Sequence, residues 1–182
     1  YGPPLDDNPE TWFNVFFKVG DDAVSTRIPV FEGDDRSSEE ETYDTEAETL
    51  ERGEARLILS VRSEHTRGNE WADLELAYYI MKFQNPLSGE WSVNAFKDAV
   101  SQNGELPSWL EGYNIWEVDR EGKKWIEVSG GGAQFFYLRI SDDCAFVVRI
   151  RLDRKRMRDD PHWAGRSRAI LLNVVKHTER GK

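Results

Sequence analysis

Residues 114–152 read NIWEVDREGKKWIEVSGGGAQFFYLRISDDCAFVVRIRL, and no other stretch constrains the fold so tightly. Aromatic and β-branched residues dominate it. It is interrupted only at DREG, SGGG and SDDC, where Gly, Asp and Ser tolerate the backbone angles of tight turns. The pattern predicts a hairpin folded at DREG, then strands over AQFFYLRI and AFVVRIRL, all in one meander. The triple glycine lies between two predicted strands, whereas a phosphate loop would open a helix, so it reads as a flexible hairpin loop.

The remaining segments extend this sheet. TWFNVFFKVGDDAVSTRIPVF predicts strands over 11–19 and 23–31 joined at GDD, and Pro29, which cannot donate to a ladder, marks an edge or an end. ARLILSVRSEH and EWADLELAYYIMKF form two more strands around TRGN, with Arg56, Ile58, Ser60 and Arg62 alternating with Leu57, Leu59 and Val61. SVNAFKDAVSQNG is a helix capped by Ser92, with Val93, Phe96 and Val100 inward and Gly104 as its stop. LPSWLEGY is a loop or short turn carrying an exposed Trp109. A last helix over 162–178 turns Trp163, Ala169, Ile170, Leu172, Val174 and Val175 to the core, after a solvated basic loop, DRKRMRDD. The class is α+β: a largely antiparallel sheet with two or three helices packed on one face. With 182 residues and 12 % aromatics the chain is one folded domain, 11–182, after an extended segment, 1–10.

Charge is distributed unevenly. Residues 32–54 hold eleven acids against two bases, −9 of the chain's −10, while residues 149–182 hold eleven bases against four acids, or +7. Within GDDRSSEEETYDTEAETLERGE, Ser38 and Glu41 have capping-box spacing, Glu39 to Glu41 suit the first turn, and Arg52 and Gly53 suit the end. Tyr43, Ala47 and Leu50 recur at i, i+4 and i+7. The segment therefore predicts an amphipathic helix over 39–52 that displays its carboxylates outward. A calcium loop in GDDRSSEEE or DDNPE is the alternative use of the same oxygens, but neither follows the EF-hand ligand pattern. No cofactor is implied.

Catalytic motifs are missing. His65, His162 and His177 are too far apart to suggest a ligand cluster and fit a hairpin turn, a helix start and a helix end. Cys144, the one cysteine, forms no internal disulfide and lies at a strand start, where a buried inert thiol is expected. The basic cluster is bracketed by Asp153, Asp159 and Asp160 and the overall sign is negative, which disfavours nucleic acid. No run approaches the roughly 18 apolar residues of a membrane span. The opening YGPPLDDNPE lacks Met and looks like the start of an exported chain, with a lipid anchor upstream of residue 1 as an option. That points to the periplasm or secretion, with a trimmed cytoplasmic chain as the other possibility.

The opening hairpin WFNVFFKVGDDAVSTRIPVF, the segment SEEETYDTEAETLERG, the helix SVNAFKDAV, the meander and the closing HWAGRSRAILLNVV occur in an order that resembles the PsbP/Mog1-like α+β sandwich proteins. It also resembles exported immunity proteins that neutralise type VI secretion effectors, the lipase-immunity type in particular. The resemblance implies a non-enzymatic inhibitor of a protein partner. Charge complementarity then predicts a basic surface on that partner, met by Glu40, Glu41, Asp44, Glu48, Glu51 and Trp109. The rival is an enzyme or small-ligand carrier using the sheet's concave face, walled by Trp71, Trp91, Trp109, Trp116 and Trp125.

Overall fold

The computed structural model describes residues 8–29, 41–64 and 72–181. The N-terminal segment ends in a single 3-10 turn, Pro9–Thr11, capped by the Asn8 side chain. β1 (Phe13–Val19) and β2 (Asp22–Ile28) form the predicted hairpin, β2 stopping just before Pro29. Alternation places Phe13, Val15, Phe17 and Val19 on the buried face.

The acidic segment departs from expectation. In place of a helix over 39–52 there is β3 (Glu41–Thr45), paired parallel to β1, and then a single 3-10 turn, Ala47–Thr49. Ser38, Glu39 and Glu40 lie outside the described residues. The physical reason is tertiary. Tyr43 stacks on Phe17 with ring centroids 5.5 Å apart, and Ala47 and Leu50 are buried. The three residues of the supposed helical stripe all turn inward, but a strand and a tight turn deliver them. Pairing with β1 outweighs weak local helix propensity.

β4 (Ala55–Glu64) and β5 (Ala72–Lys82) follow as predicted; the TRGN turn falls outside the described residues. A register shift between Leu57 and Leu59 breaks the alternation in β4, so Leu57 faces the same side as Tyr79 whereas Val61 faces the core. α1 (Val93–Val100) carries the Ser92 cap and buries Phe96 and Val100. It ends before Gly104, which forms a tight turn with Asn103, both at positive φ. The meander is as predicted: β6 (Asn114–Arg120), β7 (Lys123–Gly130), β8 (Ala133–Arg139) and β9 (Cys144–Leu152).

The basic cluster is a helix, not a loop. Asp153 accepts from the Arg156 amide and opens α2 (Arg154–Asp159), and Asp160 caps α3 (Pro161–Lys176). α3 buries Trp163, Ile170, Val174 and Val175, but Leu171 takes the inward place expected of Ala169, which is exposed. A two-residue strand, β10 (Glu179–Arg180), unforeseen in the sequence, then pairs with β2.

Among the described residues the strands form two sheets, β10-β2-β1-β3 and β4-β5-β9-β8-β7-β6, antiparallel except for β1–β3. The α+β class and the single domain are as expected from the pattern. The helices, however, divide between the two faces of the large sheet. One face holds Tyr78, Phe136, Phe146 and Trp125 against the small sheet and α3, and the other holds Tyr137, Ile126 and Val147 against α1. Tyr78 joins the sheets by donating to Arg27 O at 2.9 Å, and buried Thr26 and Thr178 share a hydroxyl hydrogen bond of 2.7 Å.

Candidate functional site

The face occupied by α1 is only partly covered. Eight residues of helix rise about 12 Å, and six strands span roughly 24 Å at ~4.8 Å spacing, so one short helix cannot roof the sheet. Phe96 of α1 packs on Tyr137, centroids 4.8 Å apart, and Trp91 packs edge-on to Phe96 at 5.8 Å. Beyond Tyr137 the face opens into a groove of about 320 Å³, lined by Tyr79, Met81, Phe135, Val147, Arg149 and, from the preceding loop, Trp109.

Apart from Trp109, these residues occupy odd positions of β5, β8 or β9, so strand alternation aims them at one face. Phe135 and Tyr137 stack at 6.2 Å with planes 20° apart. Burial, with smaller contributions from Tyr113 and Tyr79, pushes the Tyr137 hydroxyl far above the ordinary tyrosine range, keeping it neutral. The groove's charge is internal: Arg149 lies over the Tyr79 ring, 5.2 Å from its centroid, and is ion-paired with Glu75. Apolar area at the rim is left open. Trp109 is 46 % exposed and Leu57, on the same face at the sheet edge, 49 %.

The end of the groove is formed by Gly53 and Ala55, within the acidic segment. Gly53 N donates to Lys82 O at 2.9 Å and the Glu51 amide to the Glu54 carboxylate at 2.8 Å, which ties this turn to the end of β5. Of the residues assigned to a partner surface, Trp109 and Glu51 therefore belong to this region. Glu48 lies instead in a small cleft with Asp21, Asp22, Asp143 and Lys82. Glu41 and Asp44 are exposed on the edge strand β3, and Glu40 is outside the described residues. They do not share one helical face as expected.

The proposed tryptophan wall also separates. Trp91 and Trp125 are buried, Trp125 on the opposite face; Trp116 is half-exposed, also on that face; Trp71 lies outside the described residues. The sequence does not single out the groove residues Tyr79, Phe135 and Tyr137, because AYYI and QFFYL are apolar on both faces, which hides the half left uncovered. His162 is exposed at the start of α3, and His177 caps its end through Asn173 O at 2.8 Å. Burial raises the Cys144 thiol above its ordinary range, away from thiolate chemistry. No cluster of metal-ligand type occurs among the described residues.

Fold and groove thus define a class, an α+β domain with an open aromatic face bordered by carboxylates. Comparison with family models, with curated proteins and with solved structures returns no match that would assign the chain to a family.

Proposed function

We propose that this chain is a non-enzymatic protein-binding domain whose contact face is the aromatic groove and its acidic border. The observation that carries the proposal is Trp109, nearly half exposed over a groove walled by aromatic side chains. Large exposed aromatics around a shallow apolar depression are the composition of interface cores, and tryptophan is prominent among binding hot spots. The partner presents an apolar or aromatic side chain flanked by lysine or arginine, which Glu51 and Glu54 attract. The finer reading, an exported inhibitor or immunity protein that blocks an effector enzyme, rests on the sequence resemblance and on this charge complementarity.

The test is capture. A photo-crosslinking amino acid at position 57, on the exposed rim of the same face, used in an extract of the source organism, labels one protein, and the affinity for that protein is then measured. A tryptophan exposes up to ~250 Å², so the 46 % exposed at Trp109 leaves roughly 115 Å² to bury. At ~25 cal/mol per Å² that is about 3 kcal/mol, or about a hundredfold in Kd. Trp109→Ala weakens the complex on that scale, and Glu51→Lys weakens it through the association rate. Affinity within twofold of wild type in both variants removes the groove from the interface.

A further inference from the structure

A second cavity lies on the opposite face of the large sheet, independent of the groove. It measures about 360 Å³, near the small end of ligand pockets, and opens between the β7–β8 turn and helices α2 and α3. Ile150 and Leu152 from β9, Met157 from α2, and Ala164 and Gly165 from α3 give it an apolar wall, with Ser129 and Gln134 as polar lining from β7 and β8. Glycines 130–132 form the lip. Gly131 and Gly132 both have positive φ, and a Cβ on Gly131 would come within 2.6 Å of Arg154 Nη2. The triple glycine is thus no slack loop; it makes room for a guanidinium. Arg154 Nε donates to Gly131 O at 2.9 Å, which holds that side chain across the lip.

Behind the cavity is Glu127, 2 % exposed and among the few buried charged side chains. Its carboxylate accepts from Trp116 Nε1 at 2.5 Å and from Gln134 Nε2, so both oxygens already have neutral donors. Arg168, which lines the cavity and is 60 % exposed, approaches Glu127 only to 3.9 Å. Its guanidinium is oriented by the buried carboxylate yet free to take a closer anion. Arg168 on the wall and Arg154 across the glycine lip, with Arg158 farther along α2, favour an anion over a cation here, whereas Lys155 is taken up by Asp159 at 3.2 Å.

We propose that this cavity binds a small amphiphilic carboxylate, its head between Arg154 and Arg168 and its short apolar chain against Ile150, Leu152, Met157 and Ala164. The volume suits a single medium-length chain and not a two-chain lipid.

Octanoate is the probe, with octanol (no charge), octylamine (opposite charge) and acetate (no chain) as controls, in calorimetric titration and thermal melting of the full chain. Octanoate binds saturably at one site and raises Tm, and the three controls do not. Arg154→Gln and Arg168→Gln each weaken binding about tenfold or more, the loss of one charge-assisted contact. Gly165→Leu abolishes binding by filling the cavity. No atom lies within 4 Å of the Cβ it adds, and leucine favours helix over glycine, so this variant stays folded. The proposal is overturned by absence of binding at millimolar octanoate, by octanol or octylamine binding as well as octanoate, by unsaturable uptake, or by Gly165→Leu and Arg168→Gln leaving the isotherm unchanged.

Discussion

The ion pair in the aromatic groove offers a direct measure of how dry that face is. Glu75 and Arg149 are only 14 % and 13 % exposed, and Nε of Arg149 is buried without a hydrogen-bond partner. Glu75→Leu leaves the guanidinium with the face of Tyr79 and little else. Removing one partner of a buried pair costs about 3–5 kcal/mol, and residual solvation places this case near the lower end, about 3 kcal/mol. With a urea m-value of about 2 kcal/mol/M, the denaturation midpoint falls by roughly 1.5 M. The double variant Glu75→Leu/Arg149→Met, apolar at both positions, recovers to within about 1 kcal/mol of wild type, because the desolvation cost of both charges disappears together. Equilibrium urea unfolding followed by tryptophan fluorescence reads all four corners of the cycle. A loss under about 1 kcal/mol for Glu75→Leu refutes the picture of a dry groove. A double variant as unstable as the single one refutes it differently, by showing that Arg149 stabilises the fold by packing on Tyr79.

Gly131→Ala, which puts a Cβ on a residue held at positive φ, destabilises by about 1–2 kcal/mol in chemical denaturation, whereas Gly165→Ala does not. Burial raises the Tyr137 hydroxyl above the ordinary tyrosine value of 10.0, so its stabilising contribution is complete below pH 10 and is lost as pH rises above it; urea titrations at pH 9 and 11 show this loss, and Tyr137→Phe flattens it. Cys144, buried with its thiol pKa raised, reacts with a disulfide reagent far more slowly in the native protein than in denaturant, and equal rates would contradict its burial.

The acidic segment shows where local signals mislead. A capping box, acids in the first turn and a stripe at i, i+4 and i+7 are genuine helix features, but each is worth only fractions of a kcal/mol to about 1 kcal/mol. The ladder with β1 and the stacking of Tyr43 on Phe17 outweigh them. The error at 153–160 has another origin. Asp153 and Asp160 bracket a basic cluster in the sequence, yet each is an N-cap, whose role shows only once a helix follows it.

Local chemistry by itself determined the meander, its turns, the Ser92 cap and the exposure of Trp109, because each depends on residues adjacent in the chain or on strand alternation. Tertiary structure alone decided that the strands split into two sheets, which face of the large sheet α1 leaves open, and that Glu127, Gln134 and Arg168 meet behind a glycine turn. AYYI, QFFYL and CAFVVRI are apolar on both faces, so hydrophobicity names both as buried. Only the lengths and docking of the covering elements settle which area remains for a partner.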